Sequence, residues 1–245
     1  MTYFDAPVPL GDLPLADVVA EDARAATVLD RFGLNYCCRG EETLAEAAER
    51  RGVPLGEVIG ALEALGPPHA SGEPPAHADL DVLMAHIVSR HHAYVRNHVP
   101  VITAWITTLT TRHGARHPEL EEIQRTFQAL SADLLAHMAK EEHVLFPFVA
   151  DLAVAARAGR PLPRGPFGTI LNPIRVMTQD HRAACGLIER LRALSGQYQP
   201  PADGCRTYPL CFAELARFDA DLGRHLHLED HVLFPRALDL ERALT

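Results

Sequence analysis

Nowhere does the chain carry a run of about 18 apolar residues, so no segment reads as a membrane span. Alternating β-branched runs framed by hairpin turns are also missing, which removes the sequence signals of sheet folds. Cations are in deficit: 23 Lys and Arg against 32 Asp and Glu give a formal net charge of -9. Nucleic acid and anionic membrane both require clustered Lys and Arg, so neither is expected as a partner. The opening residues, MTYFDAPVPLGDLP, have neither the basic start nor the apolar stretch of a secretory signal. Five cysteines, two of them adjacent, do not make a paired disulfide framework. A cytoplasmic setting, where thiols stay reduced, is the expectation. Histidine is missing from the first 68 residues, although the chain holds 14. That asymmetry predicts two regions with different chemistry.

What is present suits a globular chain: 245 residues, 47% hydrophobic and 22% charged, enough for a large core. From Gly66 the sequence runs GPPHASGEPPAHA, and its prolines and glycines cannot sit in a helix interior. Residues 67–78 are therefore expected to form a linker between a small helical Cys-Cys domain over 1–66 and a bundle over 79–245. In the small domain, LADVVAEDARAATVLDRFG, TLAEAAERRG and PLGEVIGALEALG each read as helical and end on a glycine, the usual residue past a helix C-terminus. Four long helices are expected after the linker. The first runs from about Asp79 to Arg112 with a kink at Pro100, and the second from Pro118 to about Phe148. The third opens with Asn172 as N-cap and Pro173 in the first helical position, ending near Ser195. The fourth runs from about Thr207 to Asp239. This is an all-α chain with an antiparallel four-helix bundle.

The bundle contains a repeat. His137-Met-Ala-Lys-Glu141-Glu-His-Val-Leu-Phe-Pro147 recurs 88 positions later as His225-Leu-His-Leu-Glu229-Asp-His-Val-Leu-Phe-Pro235. Upstream of the copies stand His92 and His181, offset by 89. Residues i and i+4 share a helix face, so each copy points an imidazole and a carboxylate the same way. At about 1.5 Å of rise per residue, His92 and His137 lie within roughly 3 Å of one level, and His181 and His225 agree similarly. Four His and two Glu converge, which suits a dinuclear centre with two bridging carboxylates, two imidazoles per metal and open positions. Imidazole with carboxylate favours iron or manganese over structural zinc. A single His-x-x-x-Glu pair is more often a solvated surface pair; two copies in register are not.

The remaining candidates read differently. His91 rivals His92 but has no counterpart in the repeat. His143 and His231 fall about 240° around the helix from a ligand and should face elsewhere. His227 should be solvated on the far face. His113 lies about 31 Å along the axis from His92, too far to share its metal. Pro147 and Pro235 are expected to bend or end their helices. The adjacent Cys37 and Cys38 are either two small buried residues or a pair of reactive thiols beside Arg39. Cys185, Cys205 and Cys211 lack ligand spacing and read as structural.

These residues together resemble the hemerythrin-like family, in its iron-sulfur cluster repair (repair of iron centres) branch. Two departures from the oxygen-carrying members favour that branch: Met177 stands where they place a further histidine, and His225-x-x-x-Glu229 replaces their His-x-x-x-x-Asp ending. Leu34-Asn-Tyr-Cys37-Cys38-Arg-Gly40, followed by Thr43-Leu-Ala, is similar to the branch's Cys-Cys domain, with Arg39 where Gly is common. The resemblance implies two non-haem iron ions with oxo and carboxylate bridges, held by His92, His137, Glu141, His181, His225 and Glu229. It implies help in restoring iron-sulfur clusters damaged by nitric oxide or oxidative stress, by iron donation or nitric oxide binding. Damaged iron-sulfur proteins would be the clients, nitric oxide or oxygen the small ligand, with a homodimer allowed. A nitric oxide reductase, or an oxygen or nitric oxide carrier or sensor, needs the same open iron positions and stays an alternative.

Overall fold

A computed structural model describes residues 8–66, 77–163 and 165–245. The linker expected at 67–78 lies outside the described residues except for His77 and Ala78. Among the described residues the regular structure is helical, with isolated bridges at Pro14–Thr43 and Gly165–Gly168 and no strand. Contacts divide the chain into two units. The first is Met1–Asp79 together with Gly223–Pro235, and the second is Leu80–Leu222 with Arg236–Thr245.

The first unit holds α1 (Leu15–Glu21), α2 (Ala25–Phe32), α3 (Leu44–Arg51) and α4 (Leu55–Glu63). The stretch read as one helical pattern breaks at Asp22, whose carboxylate accepts from the Arg24 amide at 3.0 Å and from the Arg24 guanidinium. A short acidic side chain that bonds the backbone ahead competes with the helix and starts a new one. The glycine stops appear as expected: Gly33 and Gly52 close α2 and α3 with φ of 67° and 71°, where a Cβ would be strained. Thr43 and Glu46 form a reciprocal capping box at the start of α3. Leu15, Leu29, Leu34, Tyr36, Leu44 and Val58 fill the core between these helices.

The second unit is built on long helices interrupted by π turns. α5 (Leu80–His86) passes through a π turn at Ile87–His92 into α6 (Ala93–His113), which runs through Pro100. α7 (Glu119–Lys140) passes through Glu141–Leu145 into α8 (Phe146–Arg157). α9 spans Leu171–Leu194. α10 (Thr207–His227), a third π turn at Leu228–Leu233 and α11 (Phe234–Ala243) follow in the chain, of which Gly223–Pro235 belongs to the first unit. α7 packs against both α6 and α9, over a core that includes Ile102, Ile106, Phe127 and Leu130.

Three helix ends differ from expectation, each for a local reason. Pro147 and Pro235 do not end their helices; each is the second residue of a continuing one. The Phe146 amide reaches back five residues to the Glu141 carbonyl, and Phe234 does the same to Glu229. A wider turn just before the proline accommodates a ring that has no N–H and would crowd an α-type carbonyl. α9 begins two residues earlier than expected, at Leu171, with Ile170 rather than Asn172 as its N-cap. The Glu241 carboxylate of α11 takes over the capping, accepting from the Ile170 amide at 2.7 Å and the Thr169 hydroxyl at 2.6 Å. Asn172 instead donates to the Phe167 carbonyl.

Replacing Glu241 with Ala should therefore lower the unfolding free energy by about 1–2 kcal/mol, the range of a lost N-terminal cap. Asn172→Ala should cost under about 0.5 kcal/mol, as exposed substitutions do. Urea titration of both variants checks the order, and an equal loss would return the cap to Asn172.

Candidate metal centre

The second unit brings four of the expected ligands together. Glu141 opens the π turn after α7, one helical turn below His137, and its Oε2 lies 3.2 Å from His137 Nε2. The same oxygen lies 3.4 Å from Nε2 of His92, the last residue of the π turn before α6. From α9, His181 places its Nε2 3.0 Å from His137 Nε2. His92 and Glu141 have no exposed surface, and His137 and His181 each keep 2%. Neither Glu141 oxygen has a hydrogen-bond partner among the described residues. A buried carboxylate without donors is strongly disfavoured unless a cation stands beside it. Two imidazole nitrogens 3.0 Å apart match neighbouring ligands of one ion at bond lengths near 2.1 Å. The residues present therefore fit a metal ion.

Two of the imidazoles are oriented from behind. His92 Nδ1 sits 2.6 Å from Glu142 Oε1, which also accepts from Arg96 at 2.6 Å. An ionised carboxylate only accepts, so Nδ1 donates and the Nε2 lone pair faces inward, the arrangement metal-ligating histidines use. Burial works against the Glu142 charge, but the hydrogen bonds from Arg96 and His92 outweigh it and hold its pKa below the usual carboxylate range. Asp180 serves His137 the same way, at 3.4 Å from Nδ1, while accepting from Lys140 at 2.8 Å. Its pKa is also lowered, with burial opposed by Lys140 and His137. Sequence reasoning missed Glu142 and Asp180, although each is the immediate neighbour of a proposed ligand.

In the first unit the second copy repeats the pairing. His225 Nε2 and Glu229 Oε1 are 2.9 Å apart, and neither residue has exposed surface. The three π turns among the described residues thus each contain a proposed ligand, and π turns are characteristically placed at functional sites because the extra residue re-aims the side chains around it.

Beyond this set, His91 turns to a buried pair with Asp221 at 3.2 Å, and His143 is exposed. His227 departs from the expected solvated position. It is 2% exposed, its ring meets Tyr36 edge-on at 5.8 Å, and burial with the nearby His231 drives its pKa down to about 3. His231 also has a specific contact, 3.0 Å from the Cys37 carbonyl. Gly40 is fixed by that approach, since a Cβ there would lie 2.6 Å from the His231 ring. Cys37 and Cys38 place their sulfurs 3.3 Å apart, with Asn35 Oδ1 accepting from the Cys38 amide at 3.0 Å. Arg39 points to Glu42 at 2.8 Å.

A buried carboxylate between oriented imidazoles fits a cation, and the comparison with known proteins points the same way. The hemerythrin HHE cation binding domain matches residues 83–237, well over half of the chain. The chain belongs to this family. Residues 11–66 match a second domain, described as a domain of unknown function, DUF542. Among similar proteins, the iron-sulfur cluster repair protein ScdA of Staphylococcus haemolyticus is 28% identical over 221 residues, 90% of this chain and 95% of its own. The iron-sulfur cluster repair protein YtfE of Escherichia coli O157:H7 is 29% identical over 227 residues, 93% and 97% of the two chains. YtfE of an Enterobacter species is 28% identical over 232 residues, with the same coverage.

At the far end of α6, His113 is 8% exposed and packs edge-on to Tyr208 at 5.4 Å. Its imidazole is the main reason the Cys205 thiol falls to about 7, whereas burial lifts Cys211 to about 12. Cys211 fits its expected structural role; Cys205 carries chemistry the sequence did not announce. Because a lowered pKa leaves more thiolate at neutral pH, iodoacetamide should alkylate Cys205 with a midpoint near pH 7 while sparing Cys211. His113→Ala should shift that midpoint upward toward the ordinary thiol value of about 8.5 and leave metal content unchanged. Peptide mapping against pH, with metal analysis, checks both; loss of metal would place His113 in the centre after all.

Proposed function

We propose that this chain is a di-iron protein of the cytosol that helps restore iron-sulfur clusters damaged by nitric oxide or oxidants. The single observation that carries the metal reading is the buried Glu141 carboxylate, free of hydrogen bonds and within 3.4 Å of imidazoles from two helices. The repair reading is supported by the names of its full-length relatives, ScdA and YtfE. The proposed ligands are His92, His137, Glu141, His181, His225 and Glu229, with Glu141 and Glu229 as bridges. In favour of one shared plan is the repeated i,i+4 pairing, 3.2 Å in one copy and 2.9 Å in the other. Iron held by such a set supplies open positions and two accessible oxidation states for a small ligand such as nitric oxide or oxygen.

The chain's own residues do the rest. Glu142 and Asp180 keep protons on the outer nitrogens of His92 and His137 and fix their rings. Phe146, stacked on the His92 ring at 5.9 Å, helps keep water from that side. Cys37 and Cys38 are proposed as reactive thiols that face the client: Cys37 is a thiol with its sulfur beside that of Cys38, and Cys38, disulfide-bonded here, would take part after reduction. Residues 1–66 and 79–245 would act as a thiol module and an iron module of one repair protein.

Anaerobic incubation with a nitric oxide-damaged iron-sulfur enzyme tests the proposal. The wild type should carry about two irons per chain, as di-iron bundles do, and restore activity. Glu141→Leu should lose the coupled iron spectrum and most of the repair. Replacing both Cys37 and Cys38 with Ser should leave iron content unchanged and reduce repair. Full repair by an iron-free Glu141→Leu protein would overturn the proposal, and multiple-turnover nitrous oxide formation without repair would make the chain a nitric oxide reductase.

A further inference from the structure

A cleft of about 190 Å³ opens between α7 and α9, lined among others by Asp133, Ala136, His137, Lys140, Asp180 and His181. Its histidines are buried, while Asp133, Ala136 and Lys140 are exposed, so the cleft leads from solvent to the imidazoles. At about 30 Å³ per water molecule, it has room for a partly hydrated divalent ion. Asp133, His137 and Glu141 follow one another at intervals of four, which aligns two carboxylates and an imidazole down one face of α7 and into the π turn that follows it. Across the cleft, Asp180 Oδ2 is shared between Lys140 Nζ at 2.8 Å and His137 Nδ1 at 3.4 Å. Lys140 and Asp180 keep 49% and 34% of their side-chain surface exposed, so the pair closes over the histidine without being locked in place.

The pair is not a product of the repeat. The position equivalent to Lys140 is Leu228, and the position equivalent to Asp180 is His91. Ligands are kept in both copies, whereas the latch residues occur in one.

We infer that this cleft is the route by which a ferrous ion enters and leaves the His137 and His181 side of the centre, with the Lys140–Asp180 ion pair as its latch. The inference rests on the di-iron reading above. Closed, the Lys140 ammonium neutralises Asp180 while the carboxylate holds His137. An arriving cation competes with the ammonium for Asp180, with Asp133 as the outer oxygen donor, and passes to the imidazoles beneath. The step exchanges water for oxygen and nitrogen ligands and changes no oxidation state. Hard-to-borderline divalent ions suit such mixed oxygen and nitrogen donors.

Release of iron from the loaded full-length protein into bipyridine, followed by stopped flow, tests the route. Lys140→Met should release iron about two- to fivefold faster, the scale of an exposed ion pair, and Lys140→Arg should match the wild type. Ala136→Trp, which places a large ring at the rim, should slow both release and ferrous loading of the metal-free protein without changing final iron content. All three substitutions are at exposed positions, and circular dichroism melts confirm that the fold is kept. Unchanged rates in both Lys140→Met and Ala136→Trp, with iron fully bound, overturn the route and leave the di-iron reading standing. A wild type that binds no iron overturns both.

Discussion

The second unit is organised around a charge that the interior cannot hold alone. The Glu141 carboxylate has no exposed surface and, among the described residues, no hydrogen-bond partner. An ion in that position costs several kcal/mol unless a cation offsets it. That cost explains features that a merely stable bundle would not need. Imidazoles occupy core positions where Leu or Ile would pack at lower cost. Ionised carboxylates, Glu142 and Asp180, sit behind two of them, and Arg96 and Lys140 sit behind those carboxylates in turn. Each layer fixes the one inside it, and the outermost layer reaches solvent.

The backbone meets the same demand. An unbroken α-helix carries its side chains around at a fixed 100° per residue, so the ligand positions and the packing positions cannot both be optimised over a long span. One π turn inserts the extra residue that resets the phase. The turns at Ile87–His92, Glu141–Leu145 and Leu228–Leu233 contain the proposed ligands His92, Glu141 and Glu229, and apolar residues of the same turns, Ile87, Leu145 and Leu233, stay buried. The proline after two of these turns then becomes compatible with a continuing helix.

Legibility in the sequence followed from locality. Helix identity, the glycine stops and the two His-x-x-x-Glu pairs depend on residues within one or two turns, and all were readable by counting. What escaped depends on partners distant in the chain. The cap of α9 comes from Glu241, 71 positions from the amide it serves. Asp180 is 43 residues from the histidine it orients. His227 looked solvated because periodicity places it opposite the ligands, yet periodicity says nothing of what covers the opposite face. The π turns shift register without any residue type that announces them.

That covering is the clearest difference between the two copies. Val144 and Val232 occupy equivalent positions, yet the first is 45% exposed and the second 4%. Lys140 is exposed where Leu228 is buried, and His143 is exposed where His231 reaches the Cys37 carbonyl. The proposed ligand positions are the same in both copies, so a metal would not account for the divergence. Within the first unit, Tyr36 packs on His227 and Gly40 admits the His231 ring, which gives the outer face of the second copy a protein neighbour in place of water. Substitutions toward apolar or aromatic residues follow, because a lysine in that position would lose its hydration without gaining a partner. The first copy is open to solvent along the same stripe, where Lys140 keeps its hydration. Two copies of one sequence pattern thus differ in what lies against their outer faces, protein in one and solvent in the other.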